Sequence, residues 1–145
     1  MIRYKILIIT ASAIWLFWGV FHVMGGTSLL VALSSGSNTI SEVVQINMMG
    51  DIMPFHLLQT LKEHAFNNIW IGLVVVFGAV FGFKLKNTGI FICSVIGGLA
   101  HVGFTFFMVI PSYAPIMGAV FSYLVAIALV LGLGGVFLKK ISIHE

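Results

Sequence analysis

Apolar positions along the chain gather into four long runs, at 6–24, 65–83, 88–110 and 116–138, set apart by short polar stretches and by one longer mixed segment, 25–63. Each run approaches or exceeds the ~20 residues with which a helix crosses ~30 Å of hydrocarbon. Only helices or closed barrels can satisfy their backbone in lipid, and runs of this length are helical. The pattern predicts an all-α protein, an integral membrane four-helix bundle built as a single transmembrane domain over residues 1–145, with a long loop between helices 1 and 2. Within that loop TSLLVALSSGSN suits a turn or a short interfacial helix, and SEVVQINMM has a short amphipathic pattern. Pro54 fits the first turn of a helix, and PFHLLQTLKEHAFNNIWIGL then reads helically into the second run, so that this helix begins outside the membrane.

Composition sharpens the picture. The chain is 60% hydrophobic and 8% charged, with a mean hydropathy of +1.15; soluble domains carry about 25% charged residues. So few charges cannot make a water-facing surface, and the lipid bilayer is the expected surrounding. Six of the seven Lys and Arg residues fall on one side of the predicted spans: Arg3 and Lys5, Lys84 and Lys86, Lys139 and Lys140. By the positive-inside rule that side is cytoplasmic. Both termini are then cytoplasmic, and 25–63 and the turn IPSYAP face outward. Arg3 and Lys5 before an apolar run also fit a signal peptide. Met24 and Gly26, however, are a poor small-residue pair for a cut after Gly26, so the expectation is an uncleaved first span. No basic face carries interleaved aromatics, which argues against nucleic acid as a partner. The single cysteine, Cys93, excludes an intrachain disulfide and a Cys-rich metal site. WGVFHVMGG resembles stretches of many small bacterial membrane proteins, and that resemblance implies a bacterial inner membrane. The GxxxG from Gly78 to Gly82, with Gly97, Gly98, Gly103, Gly132, Gly134 and Gly135, predicts close helix packing, within the bundle rather than between copies.

The polar side chains inside the runs hold the candidate chemistry. Counted at ~1.5 Å per residue from the basic residue anchoring each helix, His22 lies ~25 Å from Lys5, His64 ~30 Å from Lys84, His101 ~22 Å from Lys86 and Tyr123 ~24 Å from Lys139. Each helix thus places one protonatable ring in the outer half of the bilayer, within a band of roughly 8 Å. Ionisable groups inside a membrane are costly and usually face inward with a partner. His22 and His101 are the closest pair in depth and the candidate cofactor-binding residues. His64 is a third metal ligand or a proton carrier. Glu63, Asn68 and Tyr123 are candidates to orient them. Glu63, Asn67 and Trp70 share a stripe with His56, and His64, Asn68 and Gly72 form its neighbour. Apart from Met1, all six methionines lie towards the outer side, where packing is a commoner use than ligation. Trp15, Trp18, Trp70 and Tyr113 read as packing or interface-belt residues.

Three functions fit these features. The leading one is a histidine-lined site for haem or a transition metal (copper, iron or zinc), serving electron transfer or oxidation of a lipid-soluble substrate. The second is a binding or transport module for a small molecule or proton, whose pathway would need a homo-oligomer. The third is a structural accessory subunit of a larger membrane complex. No ExxH pair, HExxH, nucleophile–base pair or phosphate-binding glycine loop is present, so no catalytic residue is assigned.

Overall fold

The computed structural model describes residues 2–35, 55–112 and 116–142. These form four helical rods: α1 Ile2–Ser35, α2 Phe55–Phe83, α3 Asn87–Val109 and α4 Ile116–Ile141. Each is long and apolar enough to cross a membrane, which makes the chain an integral membrane protein. No strand occurs among the described residues. α2 is described from Phe55; Pro54, expected in its first turn, lies outside the described residues. α1 does not stop where its apolar run ends. It continues through Gly25 and Gly26 to Ser35, and at 34 residues it is ~51 Å long. The reason is packing: Gly26 lies against the backbone of Ala65 and Ile69, so α2 supports α1 well beyond the expected end. TSLLVAL is therefore part of α1, whereas SEVVQINMM lies outside the described residues.

The rods run up, down, up and down, as successive contacts show. α1 meets α2 at Ser12–Gly82, Gly19–Gly72 and Gly26–Ala65. It meets α4 at Ile8–Gly135, Ala11–Gly132 and Phe17–Phe121. α3 meets α2 at Cys93–Gly78 and α4 at Ile90–Gly132 and Gly98–Leu129. One end of the bundle therefore gathers all six basic residues of the predicted inner side. The buried positions step by three and four: Ile8, Ala11, Trp15, Trp18 on α1; Ala65, Gly72, Val75, Ala79, Gly82 on α2; Gly118, Val125, Ala128, Gly132, Gly135 on α4. That spacing keeps one face of each helix turned into the bundle. Lipid tails are as apolar as these side chains, so close approach and polar pairing, rather than water exclusion, stabilise the assembly. Large apolar side chains such as Phe77, Leu99, Phe107, Val130 and Phe137 form the outer shell. Both glycines of the GxxxG are used within the chain, Gly78 towards Cys93 and Gly82 towards Ser12.

The α2–α3 turn closes the lysine-bearing end. Leu85 adopts φ 57°, the left-handed position that glycine usually takes. Its N–H donates to the Gly82 carbonyl and the Lys86 N–H to the Phe81 carbonyl, a Schellman cap on α2. The Lys139 ammonium reaches across from α4 and donates to the Leu85 carbonyl (2.6 Å) and to Asn87 Oδ1 (3.2 Å). Lys139→Met is expected to lower unfolding stability by about 1 kcal/mol, with faster hydrogen exchange confined to residues 84–89. Exchange that stays unchanged there would show that the turn holds without α4.

α3 is not a uniform α-helix. Two wider π turns, Cys93–Gly97 and Thr105–Val109, interrupt it on either side of His101. The second is marked by the Ile110 N–H donating to the Thr105 carbonyl, five residues back (2.9 Å). Such turns rotate the side chains beyond them relative to a straight helix and recur at functional sites.

Candidate functional site

His101 sits on α3 between the two π turns and is 5% exposed. It is held from two other helices. From α1, Trp18 Nε1–H donates to His101 Nδ1 (3.3 Å). The indole N–H can only donate, so Nδ1 carries no proton and the ring is the neutral form protonated at Nε2. From α4, Ser122 Oγ accepts that Nε2–H (2.9 Å). Thr105, one turn along α3, donates its hydroxyl to the His101 carbonyl (2.9 Å) and lies 3.0 Å from Ser122 Oγ. Ser122 also reaches the Gly118 carbonyl at 3.2 Å. Three helices are thereby tied through one imidazole with both nitrogens occupied. The glycine at 97 lets α3 approach α1 here: a Cβ would lie 2.7 Å from the Trp15 ring.

Trp18 is the pivot of the site. Its indole meets His101 edge-on (centroids 6.0 Å apart) and stacks on His22 on the other side (3.6 Å, 24° between planes). Trp15 meets Trp18 in a T-shaped pair at 5.9 Å. His22 Nδ1 donates to the Trp18 carbonyl (2.9 Å), because a carbonyl can only accept. That leaves Nε2 of His22 as a lone-pair acceptor. His64 is exposed, with the Asn68 side-chain amide donating to its Nε2 at 3.4 Å. Glu63 is exposed as well. Asn67 accepts from Trp70 Nε1 (2.9 Å).

The structure thus brings His22 to the face and His101 to the N–H edge of one indole and leaves His64 exposed. Tyr123 is 73% exposed and lies on the outer lip of a groove instead of in the hydrogen-bonded network. Trp18, Ser122 and Thr105 belong to the site although sequence reasoning passes over them. Thr105 carries a signal, standing four residues after His101 on the same helix. Ser122 lies one position, ~100° of helix rotation, from Tyr123, the residue that depth alone selects. Among the described residues no group of three or more His, Cys, Asp or Glu is placed to hold a metal ion.

Beside the network lies a cavity of about 370 Å³ between α3 and α4. It runs from Gly98 and Leu129 to Val109 and Ala119, is partly open, with Phe106 and Tyr123 exposed in its lining, and is mostly apolar, with His101, Thr105 and Ser122 among its lining residues. α3 and α4 touch at Ile90–Gly132 and Gly98–Leu129 and leave this groove between them towards the other end. Its size is that of a small-molecule site, with few polar groups set in an apolar lining. The chain matches no family model, no curated protein and no solved structure.

Proposed function

We propose that the protein binds a lipid-soluble small molecule within the membrane, in the groove between α3 and α4, with the polar part of that molecule at His101, Thr105 and Ser122. One observation carries this reading: the polar trio is held by three helices at a single spot in an otherwise apolar groove that opens sideways. A membrane protein gains nothing in lipid from an isolated polar cluster beyond about 1 kcal/mol per hydrogen bond. An apolar ligand with a polar group gains both the fit and a partner there. A long tail would pass through the open side into the bilayer. In this reading both termini are cytoplasmic, the membrane is a bacterial inner membrane, and the groove lies in the outer half; the basic residues gathered at one end support that orientation.

Gly98→Leu tests the groove. A Cβ at Gly98 meets only the flexible end of Leu129, at 3.3 Å, so the longer side chain enters the cavity instead of the backbone. The expected outcome is an unchanged melting temperature to within a few degrees and loss of most binding of a lipophilic probe. Wild-type binding retained in this variant would refute the groove.

A haem or transition-metal function is a second reading, favoured by the lone pair left on His22 Nε2. Copper, iron or zinc would be held there by His22 and His64, because His101 would have to give up its bond to Trp18 or to Ser122 to ligate. Stoichiometric metal or a Soret band lost in His22→Ala and kept in His101→Leu would favour it over the groove.

A further inference from the structure

We infer that the ligand of the α3–α4 groove is a hydrogen-bond donor, a neutral hydroxyl-bearing amphiphile, and not a carboxylate, ketone or ether. The inference rests on the groove being a binding site and names the chemistry it selects. The proton inventory of the polar trio decides it. Trp18 Nε1–H is given to His101 Nδ1, and His101 Nε2–H to Ser122 Oγ. Two hydroxyl protons remain, on Ser122 and Thr105. Thr105 has the His101 carbonyl as acceptor at 2.9 Å and Ser122 the Gly118 carbonyl at 3.2 Å, and either hydroxyl can donate to the other at 3.0 Å. Every donor therefore has an acceptor inside the protein, with the Trp18 and His101 N–H directions fixed because an indole cannot reverse its role. Ser122 and Thr105 present oxygen lone pairs to the groove.

An anionic or acceptor-only headgroup would meet these lone pairs without a proton between, and the neutral His101 ring supplies no compensating charge. A hydroxyl can donate to Ser122 or Thr105, which line the groove. A site built to bond one proton rejects the analogue that lacks it, since its buried acceptors are then left unpaired. Long-chain alcohols and phenolic amphiphiles both offer this chemistry.

The test uses the full chain in phosphatidylcholine nanodiscs, which contain no competing hydroxyl. Retention of radiolabelled hexadecanol, hexadecyl methyl ether, palmitate, 4-nonylphenol and 4-nonylanisole is measured against empty discs. Each hydroxyl compound is expected to bind about tenfold or more tighter than its methyl ether. The larger of the two ratios tells the aliphatic from the phenolic source. Thr105→Val, nearly isosteric, and Ser122→Ala are expected to bring the ratios towards one while ether binding persists; agreement of either variant suffices if the other misfolds. Palmitate or an ether bound as tightly as its alcohol, and displaced in Gly98→Leu, would overturn the donor rule and leave the groove standing. No probe retained above empty discs would overturn the groove itself, and the donor rule with it.

Discussion

Gly72→Leu is expected to abolish the folded bundle. Gly72 and Gly19 face each other across the α1–α2 seam, and each occupies the space a side chain of the other would need. A Cβ on Gly72 would lie 2.6 Å from the Gly19 carbonyl oxygen and 2.9 Å from the Val23 nitrogen; a Cβ on Gly19 would lie 2.9 Å from the Gly72 carbonyl oxygen. These neighbours are backbone and cannot swing aside. Overpacking a core costs about 1–3 kcal/mol where side chains can give, and a leucine driven into two backbones exceeds that range. Seam contact is also what carries α1 past Gly25 and Gly26, so the outer turns of α1 should fray together with the seam. Cys93 reports the outcome. Its thiol is fully buried and donates to the Val75 carbonyl at 3.4 Å, so a maleimide should reach it only on unfolding. Fast alkylation is expected in Gly72→Leu and slow alkylation in wild type. Gly103→Ala and Gly134→Ala are the controls. Nothing lies within 4 Å of a Cβ at either position, and the helix propensity of alanine predicts no loss and a gain of up to about 1 kcal/mol. Slow alkylation in Gly72→Leu would mean that the two helices are not in contact there.

His101→Leu has the second largest expected effect, about 2 kcal/mol of destabilisation, given the hydrogen bonds it removes. Leucine fills much of the ring's volume, so the cost is polar. Trp18 Nε1 loses its acceptor and Ser122 loses its donor, both buried or half-buried. Hydrogen bonds between membrane helices average roughly 0.6 kcal/mol and reach about 1.7 kcal/mol, and stranding the partners adds to the loss. His22→Leu breaks only a bond to its own helix and a ring stack, and should cost less than about 1 kcal/mol. His64→Ala, on an exposed ring, should cost nothing measurable. A double-mutant cycle between Trp18→Phe and His101→Leu isolates the pair, with an expected coupling of about 1 kcal/mol. Equal losses in all three histidine variants would place the three rings in one shared environment, contrary to the arrangement described.

The contrast between those histidines shows how far the sequence can be read. The four spans are legible because apolar length and basic punctuation encode them directly: Lys84 and Lys86 mark the end of α2, and Lys139 and Lys140 that of α4. Depth is legible too, since rise per residue is nearly constant, and His22 and His101 do flank one tryptophan. Azimuth is not. Helices surrounded by lipid are apolar on every side, so polarity does not mark the inward face. Tyr123 has the right depth and faces outward, whereas Ser122 beside it faces His101. The π turns of α3 add to this, because each rotates the rest of the helix by an amount that no side chain announces. Small residues are a partial guide to facing: Gly19, Gly72 and Gly97 stand where helices approach, whereas Gly103 and Gly134, also expected in close packing, meet nothing. The end of α1 escapes a sequence reading because two consecutive glycines suggest an end to a helix in isolation, and only contact with α2 carries the chain through. Trp18 reads as packing, and it is packing; its indole N–H is also the donor that sets the tautomer of His101.

The donor selectivity of the groove depends on that tautomer. Nitrogen-15 NMR of histidine-labelled protein in nanodiscs at neutral pH reads it directly. The account predicts that His101 is neutral, with a bare Nδ1 hydrogen-bonded to Trp18 and a proton on Nε2. A proton on Nδ1, or a charged imidazolium at that position, would contradict it.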